Sequence, residues 1–401
     1  MPPPTRPLLR IPYTTPLPSP LLIPASAATT PGAIAALVEF LSPSLPPSPS
    51  PSLSTSTHSA RHATSPGRHT VLLTGAGISV ASGLADYRGT HGTYTLNQTY
   101  RPIYYHEFCS SHEARKRYWA RSFLGWTNLV RARANSGHVA VGELGRMGVV
   151  GEVITQNVDS FHPTTHPSLR TLELHGALRT LTCLTCATTY PRSTFQHDLS
   201  RLNPSWSSFL SSLLASGALD TENPSERSKR GLKTNPDGDV DIGPGADYTS
   251  FRYPACPTCV RGGRVRVDVD GEGAWTGNGA VAEREGGGSA TGNAVLKPSV
   301  VMFGESIPQA TKDAAERAVD NAGRMLVVGS SLATYSAWRL VKRARERGMP
   351  IGILNLGGVR GEEGFFAGVG EGNKGAEAVR CSERADKVLP RVVEELVRLR
   401  G

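Results

Sequence analysis

The sequence predicts an α/β fold, a parallel sheet with helices on its faces and a small lobe inserted into it. Three observations point there. After residue 68, short buried-strand segments alternate with helix-patterned stretches, the alternation that builds a parallel sheet. A glycine-rich turn, Gly75-Ala76-Gly77-Ile78, follows the first of those strands. Two C-x-x-C pairs, Cys183/Cys186 and Cys256/Cys259, stand well downstream in a chain with only 6 cysteines.

Taken in order, the first 68 of 401 residues hold 16 of the 30 prolines, no lysine and one acid, Glu39. Such a composition resists building a core and reads as disordered. Arg6 and Arg10, without acids nearby, fit a targeting presequence. The prolines interrupt the amphipathic helix that a presequence needs, so a plain tail competes with that reading. Within the segment, residues 31–41 read as one short helix, with Pro31 suited to a first turn.

Ordered chain is expected from His69. Residues 70–74 (TVLLT) read as a strand, and 113–134 as a helix whose Tyr118, Trp119, Phe123 and Trp126 form an aromatic face. A helix at 138–147 and a strand at 151–155 follow; later strands at 325–329 and 351–355 flank a helix at 335–347. Polar stretches at 220–250 and 262–293, the second with ten glycines in 32 residues, read as surface insertions that need not pack. The expected layout is a Rossmann-like body over 69–180 and 295–400, a cysteine lobe over 181–263 and a Gly-rich insertion over 264–294.

Composition narrows the function. The net charge of +9 is never gathered into a Lys/Arg block with interleaved aromatics, so no nucleic-acid partner is expected. No run of eighteen apolar residues is present, so no membrane-spanning helix is expected. Six cysteines in a chain this long do not make a disulfide scaffold. The paired C-x-x-C units suggest a reducing compartment and a metal.

Gly75-x-Gly77 supplies two glycines of the dinucleotide fingerprint, but its third position is Val80, and no acid follows about twenty residues on. A hydride-transferring dehydrogenase is therefore a poor fit. Alone, the motif could be a tight turn. It is followed by Asp86-Tyr87-Arg88, by Gln156-Asn157-Val158-Asp159, and by Glu173-Leu174-His175-Gly176. Gly329-Ser330-Ser331 and Asn355-Leu356-Gly357 each follow a further strand. Small and polar residues at the carboxyl ends of successive strands are where an α/β sheet binds its ligand.

Cys183, Cys186, Cys256 and Cys259 read as one tetrahedral Zn²⁺ site. Four sulfur ligands leave no open position, which makes the ion structural. The 69 residues from 187 to 255 exceed the spacing of a common zinc ribbon. A redox pair and a nucleic-acid ribbon are the rivals; neither a thioredoxin-like context nor a basic-aromatic surface supports them.

These stretches together resemble the sirtuin family: TGAGISVASGLADYRG, TQNVDSFH, ELHG, the cysteine pairs, LKPSVVMFGE, VVGSSL, ILNLG and RCSERADKVLP run in family order over most of 69–390. Arg101-Pro102-Ile103, residues 117–121 (RYWAR) and 202–206 (LNPSW) resemble its class II, mitochondrial sirtuin-four type. The resemblance implies an NAD-dependent acyl-lysine deacylase, with acyl-lysine proteins as substrates, one structural Zn²⁺ and a mitochondrial matrix address. Tyr94 is followed by Asn97 where succinyl-lysine sirtuins carry an arginine, so succinyl specificity is not implied.

In that family the acyl oxygen attacks the nicotinamide ribose, and a base then takes a ribose hydroxyl proton. The resemblance assigns the base to His175, for which imidazole is suited; an isolated histidine would more often be structural. Asn157 and Asp159 would hold the nicotinamide and its ribose, and Gln156 the ribose hydroxyls, although Asn-Val-Asp can also cap a turn. Gly75, Ala76, Gly77, Ile78, Asp86, Tyr87 and Arg88 would line the nicotinamide and phosphate side. Gly329, Ser330, Ser331, Asn355, Leu356, Gly357 and the backbone at Cys381 would meet the phosphate and adenosine end.

Residues 297–305, with Val301, Phe303, Gly304 and Glu305, would form a strand edge for an extended acyl peptide, or an ordinary buried strand. Three departures stand out: Ala85 replaces a usual proline, Ser160-Phe161 replaces a small-Leu pair, and 264–294 separates segments close together in relatives. Two rivals remain from other classes. One is mono-ADP-ribosyl transfer from the same site, and the other a module that binds NAD or acyl-lysine without turnover.

Overall fold

The computed structural model of the chain describes residues 17–45, 67, 69–89, 92–93, 102–220, 228–230, 232–234, 240–241, 247–262, 268–276, 294–370 and 372–400. The presequence reading on Arg6 and Arg10, the Tyr94/Asn97 comparison and Arg101 lie outside the described residues.

The main body is a six-stranded parallel sheet. Its strands are β1 (Thr70–Thr74), β2 (Val150–Thr155), β3 (Thr171–Glu173), β9 (Arg324–Val328), β10 (Ile351–Leu354) and β11 (Ala378–Cys381). A smaller antiparallel sheet contains β4 (Gly176–Cys183), β5 (Thr189–Pro191) and β8 (Leu296–Val300), and β6 (Lys233–Thr234) pairs with β7 (Val240–Asp241). The order in the large sheet is β11-β10-β9-β1-β2-β3, so the strand sequence reverses between β1 and β9.

Every residue of β1 is buried, as expected of a strand covered on both faces. Alternation divides its side chains between two cores. Leu72, with Leu326, Val328, Leu354 and Val379, meets helices Thr30–Leu41, Ser136–Arg146 and Ala385–Arg398. Val71 and Leu73, with Met325, Val327 and Ile353, meet helices Gln309–Asp320 and Tyr335–Glu346.

Order does not begin at His69. The Thr30–Leu41 helix is part of the sheet's core: Ala33, Ala36, Leu37, Phe40 and Leu41 are at most 2% exposed. Its N-cap is Thr29, whose hydroxyl accepts from the Gly32 N–H. Ahead of it, Ile23 exchanges two backbone hydrogen bonds with Arg380 on β11, at 3.1 and 2.7 Å. Proline content says nothing about the apolar face that this helix turns onto the sheet, or about Ile23, which pairs with the β11 edge.

The small lobe is larger than 181–263. The helix at His112–Arg131 contributes Tyr118, Trp119, Phe123 and Leu124 to a core that holds Leu181, Phe195, Phe251, Cys256 and Leu296. The lobe therefore draws on 102–131 as well as on β4 through β8. Sequence adjacency had put that helix with the parallel sheet, but its aromatic face packs here. The inserted stretches are not wholly surface either. Leu232 and Val240 are buried, and Trp275 is 4% exposed under the Arg115 guanidinium, 4.6 Å from its ring. Arg252 pairs with Asp270 and Glu272, pinning the described part of the Gly-rich insertion.

Candidate active site

The strand reversal between β1 and β9 places two loops against each other at the carboxyl ends of the sheet, where a crevice for ligand is expected. Gly77 N–H donates to the Gly329 carbonyl at 2.8 Å. A Cβ on Gly77 would lie 2.8 Å from Gly329 Cα, and one on Gly329 only 2.4 Å from the Ile78 nitrogen, with Gly329 at φ 62°. Glycine is required at both because the two backbones touch, a reason the dinucleotide fingerprint does not supply.

Most of the expected polar residues meet here. Asn157 Nδ2 donates to the Gly75 carbonyl at 3.1 Å and to Ser79 Oγ at 3.2 Å. Ser79 in turn donates to Asp159 Oδ2 at 2.7 Å, and Asp159 Oδ1 accepts from the Phe161 N–H at 3.0 Å. Burial raises the Asp159 carboxyl pKa, while the Phe161 and Ser79 hydrogen bonds pull it back. Ser79 joins the two residues and was not singled out from the sequence; its place within TGAGIS was the available signal.

Gln156 bridges two loops. Its Nε2 donates to Ser330 Oγ at 2.7 Å and its Oε1 accepts from Thr334 at 3.0 Å. The amide expected at the ribose hydroxyls ties the β2 loop to the β9 loop. Ser330 also accepts from the Leu332 N–H at 3.2 Å. Neither Thr334 nor Ser336 carried a motif that would have marked it.

His175 follows β3 and is half-buried. Its Nδ1 lies 3.1 Å from the Gln156 carbonyl oxygen and its Nε2 lies 2.9 Å from Ser336 Oγ. A carbonyl can only accept, so Nδ1 carries the proton and Nε2 keeps its lone pair. Burial lowers the imidazole pKa, and the Gln156 hydrogen bond raises it in part. The result is a neutral ring with an unprotonated Nε2 at neutral pH.

Ser160 sits at φ 59° in the left-handed region and donates to Glu173 at 2.7 Å. Any Cβ there costs about 1 kcal/mol relative to glycine. Burial raises the Glu173 carboxyl pKa, and the Ser160 hydrogen bond opposes it. The loop bearing Ala76, Asp86, Tyr87 and Arg88 folds back on itself: Asp86 Oδ1 accepts from the Gly89 N–H at 3.1 Å.

At the other end, Asn355 Nδ2 donates to the Leu356 carbonyl at 2.9 Å. The buried Arg380 guanidinium binds the carbonyls of Asn355, Cys381 and Gly357 at 3.0, 2.7 and 2.5 Å and pairs with Glu362 at 2.8 Å. Leu356 is 59% exposed. The Arg360 N–H binds the Ser331 carbonyl at 2.9 Å. Cys381 turns its thiol onto the Ala33 carbonyl of the N-terminal helix, so only its backbone faces this end.

The expected peptide edge is shorter than 297–305. β8 stops at Val300, and Val301 N–H donates to the His175 carbonyl at 2.8 Å. Glu305 then accepts from the Met302 N–H at 2.9 Å and from buried Lys297 at 3.0 Å, which curls Met302, Phe303, Gly304 and Glu305 into a turn. β8 remains the outer strand of its sheet, in the order β5-β4-β8. Phe303 meets Tyr104 edge-on at 6.4 Å.

Cys183, Cys186, Cys256 and Cys259 converge with their sulfurs within 4.8 Å of one another. Cys183–Cys259 and Cys186–Cys256 lie at 3.7 and 3.6 Å. Four sulfurs bound to Zn²⁺ at about 2.3 Å in a tetrahedron stand about 3.8 Å apart, so the donor set fits zinc with no open coordination position. The carboxamides, carboxylates and hydroxyls at the strand ends likewise suit the amide, ribose and phosphate groups of NAD.

Comparison with known proteins agrees with this geometry. The Sir2 family model matches residues 75–336. An NAD-dependent protein deacylase of Batrachochytrium dendrobatidis is 40% identical over 303 residues, 73% of this chain and 83% of that protein. A Bos taurus protein named NAD-dependent protein lipoamidase sirtuin-4, mitochondrial, is 33% identical over 296 residues, 74% of this chain and 76% of its own. A solved sirtuin structure, from work on substrate affinity, aligns over 82% of this chain and 93% of its own with a TM-score of 0.50 at 21% identity, a likeness of fold. The chain belongs to the Sir2 family, the NAD-dependent protein deacylases.

Proposed function

We propose that this chain removes acyl groups from protein lysines, consuming NAD and yielding nicotinamide, free lysine and O-acyl-ADP-ribose. The observation that carries the reading is His175: a neutral imidazole whose Nε2 is unprotonated and held as an acceptor, beside the buried Asn157–Ser79–Asp159 chain. NAD supplies an electrophilic ribose carbon and nicotinamide as its leaving group. His175 Nε2 accepts a hydroxyl proton as general base, and its Nδ1–H bond to the Gln156 carbonyl stabilises the imidazolium that results. Asp159 and Asn157 orient the nicotinamide side, and Asn355 with the Gly357 backbone takes the adenosine end. The outer edge of β8 offers backbone pairing to an extended acyl peptide. The zinc holds the lobe that carries that edge.

The test is incubation of purified protein with NAD and peptides carrying acetyl-, lipoyl-, biotinyl- and branched dicarboxylic acyl-lysine, with nicotinamide and peptide mass followed together. Stoichiometric deacylation, lost by roughly 10²–10⁴-fold in His175→Ala, supports the reading and names the acyl group. NAD label retained on protein would replace it with ADP-ribosyl transfer, and absence of nicotinamide release would leave only binding. A mitochondrial address belongs to the same reading and is supported by the bovine relative's name; a fluorescent fusion of the whole chain that stays outside mitochondria would refute it.

A further inference from the structure

The resting site holds an interaction that the reaction must undo. Ser336 is the second residue of the Tyr335–Glu346 helix, and its Oγ lies 2.9 Å from His175 Nε2. Since Nδ1 must donate to the Gln156 carbonyl, Ser336 is the donor and Nε2 the acceptor. This is the same lone pair that a substrate hydroxyl needs. We propose that Ser336 is a positioning residue for His175: its hydroxyl holds Nε2 as an unprotonated acceptor in the resting enzyme and gives way when a substrate hydroxyl takes its place. The proposal rests on the deacylase reading and names a residue for it.

Three features support the assignment. First, the ring is fixed from both sides, by Gln156 from β2 and by Ser336 from a helix 161 residues away in sequence. Second, the segment before the helix is itself tied to the β2 loop through the Thr334–Gln156 bond at 3.0 Å, so Ser336 cannot drift from the ring independently of the site. Third, the charged groups nearby are committed elsewhere. Glu173 binds Ser160, Asp159 binds Ser79 and the Phe161 N–H, Arg179 donates to the Asp159 carbonyl, and Arg339 on the helix pairs with Glu316. That leaves a neutral hydroxyl, aided by the unpaired N–H groups of a helix N-terminus, to favour the neutral ring. A serine suits the exchange because its hydroxyl can rotate away from Nε2 when the substrate hydroxyl arrives.

The sign of the perturbation follows. A hydrogen bond donated to Nε2 exists only with the neutral ring, so removing it makes protonation easier. Ser336→Ala and Ser336→Val should move the His175 titration upward by about half a pH unit. Ser336→Thr, with the shape of valine and the hydroxyl of serine, should leave it in place.

The experiment is an NMR titration of histidine-labelled full-length protein in all four forms, with His175 assigned by its loss in His175→Ala. An Nδ1–H tautomer in the wild type and the expected split between threonine and valine support the proposal. An Nε2–H tautomer, or one midpoint shared by all four, overturns it. The acidic limb of kcat/KM for nicotinamide release should shift in parallel, with KM for the acyl peptide unchanged. If the wild type releases no nicotinamide, the deacylase reading fails, while the titration still decides the role of Ser336.

Discussion

Replacing Phe40 by alanine tests the least expected feature of the fold, the N-terminal helix as part of the core. Phe40 is fully buried, and its ring edge packs on the glycine face of β10, where a Cβ on Gly352 would come within 3.0 Å of it. The Arg324 guanidinium lies 5.3 Å from the ring centroid. Truncating a buried phenylalanine costs about 3–5 kcal/mol through lost transfer and the cavity left behind. Loss of the cation–π contact adds about 0.5–1 kcal/mol. The Gly352 backbone cannot collapse into the gap, because it is fixed by parallel pairing with β9 and β11. Phe40→Ala should therefore lower the unfolding free energy by about 4 kcal/mol, read as urea unfolding by far-UV circular dichroism. Glu39→Gln, exposed on the same helix, should cost less than about 0.5 kcal/mol. A loss below about 1 kcal/mol for Phe40→Ala would show that the helix is an appendage and that the core is complete without it.

Three further outcomes are expected. Asp159→Asn should reduce nicotinamide release by roughly tenfold or more yet raise Tm at pH 7. Burial lifts the folded carboxyl above its unfolded value, so stability is lost as pH rises through that range, and the amide escapes the loss; an unchanged or lower Tm at pH 7 contradicts this. His138, His162 and His166 form a buried cluster in which His162 Nδ1 and His166 Nε2 lie 3.0 Å apart. Burial lowers all three pKa values, that of His138 to about 4. The unfolded chain takes up protons below pH 6.5 that the folded chain refuses, so stability should fall with a slope approaching about 4 kcal/mol per pH unit, and a flat urea midpoint between pH 6.5 and 5 would refute it. Atomic absorption should find about one zinc per chain, with Cys256→Ser losing both metal and the near-UV signal of the Trp119 and Trp275 core; metal-free protein with an intact signal would exclude a structural ion.

Much of the site was legible because its residues sit where local chemistry announces itself. Gly75, Asn157, Asp159 and His175 each follow a short apolar strand, and period and turn residues locate strand ends well. The cysteine pairs advertise a metal by spacing and by scarcity. Ser79 and Ser336 were not legible as site residues, since a serine acquires a role only from the group it faces. The motif pointed Gln156 toward the ribose, and only the fold shows that its amide also bonds Ser330 and Thr334, residues more than 170 positions away.

By itself the sequence determined the parallel α/β body, the strands at the reversal point, the four metal ligands and the family. Each of these is written in residue type and short-range period. Tertiary structure alone decided that the Thr30–Leu41 helix belongs to the core, that the aromatic face of His112–Arg131 packs in the zinc lobe, and that Trp275 of an apparently polar insertion is buried. It also decided that the glycines at 77 and 329 answer to each other. An apolar face records in sequence only that it must be covered. What covers it depends on chain segments brought together by folding, and hydrophobic burial carries no label for its partner.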